Sequence, residues 1–196
     1  ETYRDHYSAY EELVLDRAYD IVAHYRGVMD LFDAVNEAHD SNNAYGFDDD
    51  QLIDLTGATC DVAREANPEV VRVINTVWEW GQYVPRGGSR SSGSARGTRP
   101  PMSVTRYFQQ CLEAHIGFEA IGLQVHNPVH DMLEIGLMLD RYARFGKPIH
   151  ITELGYPSAP LDPEVLGQRS NIGDHATAST TGVSIWGHPH YWHQPF

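Results

Sequence analysis

Apolar residues recur along the chain with two alternating rhythms. Over 7–25 they fall at Tyr7, Tyr10, Val14, Ala18, Ile21, Val22 and Tyr25, the spacing of an amphipathic helix. Gly27 stops that helix, and "VMDLFDAVN" (28–36) follows as a strand. "DDDQLIDLTGATCDVAREAN" (48–67) opens on three Asp, favourable at a helix N-terminus, and carries Leu52, Leu55, Val62 and Ala66 along one face. Asn67-Pro68 ends it before the strand "EVVRVIN" (69–75). The next unit is a helix over 101–117, N-capped by Ser103 and closed by Gly117, leading to the strand "FEAIGLQVH" (118–126). A fourth helix spans 130–146 and ends at Gly146. The strand "KPIHITELG" (147–155) follows it, and "TGVSIW" (181–186) reads as a further strand. Five short, largely apolar strands alternating with helices predict an α/β fold with a parallel sheet.

Two stretches break the rhythm. Residues 86–101, "RGGSRSSGSARGTRPP", are rich in Gly, Ser and Arg and read as a flexible loop. Residues 158–181 show weak periodicity and interior glycines, so they read as irregular, with at most a turn or two of helix. The whole of 1–196 is otherwise read as one catalytic domain.

Composition narrows the classes. With 27 acidic against 14 basic residues the formal net charge is −13, which argues against nucleic acid and against anionic membranes as partners. No apolar run approaches the roughly 20 residues of a membrane span, and the chain shows no signal-peptide pattern. Cys60 and Cys111 both sit at helical positions and read as buried free thiols, neither a disulfide nor part of a zinc site. No cofactor is expected.

In parallel α/β folds, functional groups gather at the C-terminal ends of strands. Those ends here carry Asn36 and Glu37, Asn75, Gln124 and His126, Glu153, and Trp186. Two carboxylates, several groups that hydrogen-bond hydroxyls, and an indole make a set suited to a sugar. Glycoside cleavage needs one carboxylic acid to protonate the departing oxygen and a second carboxylate to attack or to activate water. Each residue alone has a plainer structural reading, as a capping carboxylate or a satisfied core histidine. The joint pattern is what points to chemistry.

These same segments resemble glycoside hydrolase family 10, the endo-β-1,4-xylanases of clan A. "FDAVNEA" resembles that family's "WDVVNEA", "IGLQVH" its "IGLQSH", and "IHITELG" its "V-ITELD". "TGVSIWG" is similar to "VTVWG", and "ATCDVAREANPEVVRVIN" to "AREADPDAKLYIND". The resemblance implies a (β/α)8 TIM barrel represented by about five of its parallel strands, the fourth to the eighth. It implies retaining hydrolysis of internal β-1,4 linkages in xylan or a related polysaccharide. Glu37 would then be the acid/base, with a raised pKa, and Glu153 the ionised nucleophile. Asn36 would bond the sugar 2-hydroxyl, His126 would hold the nucleophile, Gln124 and Asn75 would line the pocket, and Trp186 would form its floor. The location implied is extracellular or periplasmic.

The sequence departs from that pattern in several places. The resemblance begins at the helix before the family's fourth strand, so its first three strands and their Lys, His and Trp have no counterpart. Five strands cannot close a barrel. Gly155 stands where the family has Asp, and "WGHPHYW" puts His190 in another Asp position and Trp192 two residues early. Two further readings stay open: another clan A retaining hydrolase of cellulase or β-xylosidase type, and a non-catalytic carbohydrate-binding remnant. A metal site on His188, His190 and His193 is disfavoured, because a Pro-containing terminal cluster without a nearby carboxylate is more often solvated loop.

Overall fold

A computed structural model describes residues 6–39, 47–77, 79, 102–126 and 132–155. The elements run α1 (Tyr7–Tyr25), β1 (Leu31–Asn36), α2 (Asp49–Ala66), β2 (Val71–Thr76), α3 (Val104–Glu113), β3 (Ala120–His126), α4 (Met132–Ala143) and β4 (Ile149–Gly155). The four strands form one sheet in the order β1-β2-β3-β4, every pair parallel. Helix and strand alternate throughout, which is the construction of a partial (β/α)8 barrel. The expected fifth strand at 181–186, the loop at 86–101 and the segment at 158–181 lie outside the described residues.

Local signals place most boundaries. Asp48 caps α2 through a reciprocal capping box with Gln51, each side chain bonding the other's backbone N–H at 2.9 and 3.1 Å. Ser103 caps α3 by accepting from the Arg106 amide. Chain reversal after α1 uses Gly27 at φ 75°. Asp30 then ties three elements together: it accepts from the Gly27 amide at 3.0 Å and from Asn67 Nδ2 at 2.6 Å, and its carbonyl accepts from Val71 at 2.6 Å.

Two expectations are corrected. Gly117 does not close α3, which ends at Glu113 with His115 taking the left-handed turn at φ 56°. What Gly117 provides is room: a Cβ there would come within 3.0 Å of the Arg72 guanidinium. The inward face of α2 is also rotated from the one expected. Leu52 and Ala66 are buried, Leu55 and Val62 only half so, and Thr56, Thr59, Cys60 and Ala63 complete the buried stripe. The threonines can face inward because their hydroxyls bond back to the carbonyls of Leu52 and Leu55, each at 2.7 Å. Thr56 also shares a 2.7 Å bond with the Tyr107 hydroxyl.

The main core lies between the outer face of the sheet and the helices. It is built on Ile74, Tyr107, Phe108, Ile121, Leu123 and Tyr142, with Cys60 and Cys111 buried in it as free thiols. Burial pushes the Cys60 thiol up to about 12, so it behaves as a small apolar group. At the N-terminal end of the strands Arg72 is buried and forms a fork with Glu119, Nε to Oε2 at 3.0 Å and Nη2 to Oε1 at 2.8 Å. Arg64 adds a bond to the same carboxylate at 2.6 Å. The outer strands carry exposed apolar side chains, Leu31 on β1 and Ile151 and Leu154 on β4.

Burial alone would raise the Glu119 carboxyl, but its bonds to Arg72, with Arg64 assisting, override this and hold it down to about 2 from 4.5. A depressed carboxyl stabilises the folded state above the unfolded value, and that stabilisation is lost as pH falls from 4.5 through 2. Urea unfolding across this range should therefore show a steeper loss of stability in the native chain than in Glu119→Gln. Equal slopes would mean that the ion pair makes no pH-dependent contribution.

Candidate active site

The parallel register brings the functional strand ends to one rim. Asn36 pairs with Asn75 across β1 and β2, and Gln124 pairs with Glu153 across β3 and β4. A shift of register precedes each pair, between Asp33 and Val35 and between Leu123 and Gln124. Bulges of this kind re-aim the side chains that follow them. In the second, Leu123 faces Ile151 and Gln124 faces Glu153, so Thr152 is the extra residue.

Glu37 leaves the end of β1 in a left-handed turn at φ 53°, a conformation costly for any residue but glycine. Two bonds hold it there. Its amide donates to the Asn75 carbonyl at 2.9 Å, and its carboxylate Oε1 accepts from Gln124 Nε2 at 2.7 Å. Strain fixed in this way by its surroundings is a mark of functional positions.

The neighbouring amides are oriented by a chain of bonds. Thr152 Oγ1 donates to Asn75 Oδ1 at 2.6 Å, and Asn75 Nδ2 donates to Asn36 Oδ1 at 2.8 Å. Asn75 thus has both ends assigned, and the Asn36 amide oxygen is turned toward it. Thr152 on β4 meets Asn75 on β2 by crossing over β3. The crossing point is Gly122: a Cβ there would lie 2.9 Å from Asn75 Oδ1 and 3.0 Å from Asn75 Cα. Strands two apart are separated by about 9–10 Å in a flat sheet, so such contacts need a concave face and an empty position between them.

Charge accumulates on this face. Asp33 on β1 is raised, first by burial and then by the charge of Glu153 on β4, with His150 opposing. Behind the rim lies Glu79, fully buried at 0% exposure, whose Oε1 accepts from the Gln124 amide at 2.5 Å. Burial, reinforced by the charges of Glu37 and Glu153, pushes its carboxyl up to about 8. His39 is buried between Met102 and Val77, its Nδ1 donating to the Met102 carbonyl at 3.0 Å. Burial pulls His39 down to about 4, so it is neutral under ordinary conditions.

Of the residues predicted from sequence, Asn36, Glu37, Asn75, Gln124 and Glu153 all stand at one end of the sheet, and His126 closes β3 there. Trp186 and the histidines 188, 190 and 193 lie outside the described residues. Three members were not foreseen: Thr152, Glu79 and His39. Among the described residues no three His, Cys, Asp or Glu side chains are grouped to hold a metal ion, and no helix is long and apolar enough to cross a membrane.

No family profile matches the sequence, and no curated protein does. Solved structures do. A GH10 endoxylanase retrieved from a sugarcane soil metagenome superposes with a TM-score of 0.56 at 18% identity, covering 79% of this chain and 42% of that one. The GH10 xylanase of Thermobacillus composti gives a TM-score of 0.53 at 21% identity, covering 76% and 41%. Native xylanase 10B of Thermotoga maritima gives 0.52 at 21%, covering 78% and 45%. The chain therefore resembles part of the GH10 barrel, the fold of a glycoside hydrolase, and spans less than half the length of these proteins.

Placing a methyl group at the crossing point should undo the amide chain. Gly122→Ala is expected to lower stability by about 1–3 kcal/mol, the usual cost of overpacking a tight site. In a Thr152→Val background, where the bond to Asn75 is already absent, the same change should cost less, because the two share a partner. Thermal unfolding of the four variants measures this. Strict additivity would show that Gly122 and Thr152 do not act through Asn75.

Proposed function

We propose that this chain carries the catalytic half of a retaining glycoside hydrolase that cleaves internal β-1,4 linkages of xylan or a closely related polysaccharide. The observation that carries this reading is the linkage of Glu37 and Glu153 through Gln124. That residue donates to the Glu37 carboxylate at 2.7 Å and is the register partner of Glu153. Glu37 is the acid/base and Glu153 the nucleophile. Glu153 attacks the anomeric carbon while Glu37 gives its proton to the departing glycosidic oxygen, leaving a glycosyl ester on Glu153. Glu37, now a carboxylate, takes a proton from water, and the resulting attack releases the sugar and restores both groups.

The remaining residues bind. Asn36 bonds the sugar 2-hydroxyl, and Asn75 and Gln124 line the same wall. His126 holds the nucleophile from the end of β3, and Trp186 supplies a stacking floor. No cofactor is needed, because both halves of the reaction are proton and glycosyl transfers between carboxyls and oxygens. A polymeric substrate cannot cross a membrane, so the enzyme acts outside the cytoplasm.

Reducing-sugar release from xylan and from β-glucan, compared between the native chain and Glu153→Gln, tests the reading. Xylan should be the better substrate, and the variant should be inactive on both. A 2-fluoro xylobioside should leave a covalent adduct on Glu153, detected by mass spectrometry. Glu37→Ala should lose about 10²–10⁴-fold, most severely for substrates with basic leaving groups. Binding of xylo-oligosaccharide with no turnover and no adduct would identify a binding protein instead.

A further inference from the structure

Glu79 is a carboxyl that the proposed chemistry does not use. It lies just after β2, fully buried, and its backbone carbonyl is held from α4 by the Tyr142 hydroxyl at 2.8 Å and by Arg141 Nη1 at 3.3 Å. Its Oε1 accepts from the Gln124 amide, while Oε2 has no hydrogen-bond partner among the described residues. Parallel β3 has no need of a side chain to satisfy that amide in general, so the contact is specific to this position. Burying a carboxyl whose second oxygen lacks a partner is costly. A raised acid also destabilises the fold as pH climbs from 4.5 to about 8, since the unfolded chain ionises first. Residues that lower stability in this way tend to serve a site.

We propose that Glu79 is a positioning residue for Glu37: its buried carboxyl grips the backbone amide of Gln124 and so fixes the side chain that holds the acid/base. The path is short and each step is a hydrogen bond: Gln124 N donates to Glu79 Oε1 at 2.5 Å, and Gln124 Nε2 donates to Glu37 Oε1 at 2.7 Å. This rests on the reading of Glu37 as acid/base for its catalytic consequence, but the positioning itself does not. The titratable and charged groups that face Glu79 are Glu37 beyond β1, Glu153 on β4, and Arg141 and Tyr142 on α4. Below its midpoint near 8 Glu79 is neutral. Above it, a negative charge is buried against the Gln124 amide, behind the side chain that holds Glu37.

The test follows the Gln124 backbone and side-chain amides by NMR in the full chain, as a function of pH. Both signals should shift together with a midpoint near 8 in the native protein. Glu79→Gln keeps an oxygen for the Gln124 amide and cannot ionise, so it should retain the low-pH positions and lose the step. Glu79→Leu should displace both signals at every pH and lower kcat by about 10- to 100-fold with KM within about twofold, as for a misplaced catalytic group. If Glu79→Leu does not fold, the presence or loss of the step in Glu79→Gln decides the matter. Gln124 signals that are pH-independent near 8 in the native chain, or a step that survives in Glu79→Gln, would overturn the proposal. A native chain that hydrolyses nothing yet shows the step would support the positioning and refute the enzymatic reading.

Discussion

Two polar contacts at this rim pass over an intervening strand, and that requirement governs the rest of the site. Gln124 on β3 reaches Glu37 beyond β1, and Thr152 on β4 reaches Asn75 on β2. Side chains of this length can do so only over a concave sheet with an unoccupied position beneath them. Gly122 supplies that position, since a Cβ there would lie only 2.9 Å from the Asn75 amide oxygen. A residue without a side chain therefore sets the geometry of the polar groups around it.

The two ends of the strands divide the work. At the N-terminal end, Arg72, Arg64 and Glu119 form a charged cluster whose groups satisfy one another, and the carboxyl is stabilised as an anion. At the C-terminal end, Glu37, Glu153 and Glu79 bring carboxyls together, with the Gln124 amides bonding Glu37 and Glu79. The first arrangement supports folding; the burial of Glu79 in the second opposes it.

Much of this was legible in the sequence for local reasons. The Tyr7–Tyr25 helix, the acidic start of α2, the Ser103 cap and the four strands follow from periodicity and helix-end chemistry that act within a few residues. The rotated face of α2 was not legible, because Thr56 and Thr59 become buriable only by bonding back to the helix and, for Thr56, to Tyr107. Nor was Gly117 as a space for Arg72, since nothing near it in sequence announces a guanidinium from another strand.

The sequence by itself determined which residue types stand at the strand ends, and that Asn36, Glu37, Asn75, Gln124 and Glu153 would share one end of a parallel sheet. Parallel strands read in the same direction, so their final residues must converge. Tertiary structure alone decided how those residues are aimed and what stands behind them. Thr152 joins the site because a register shift makes it the extra residue of its strand, and Glu79 joins because its buried carboxyl accepts from the Gln124 amide. Register and burial depend on partners distant in sequence, and no local pattern encodes them.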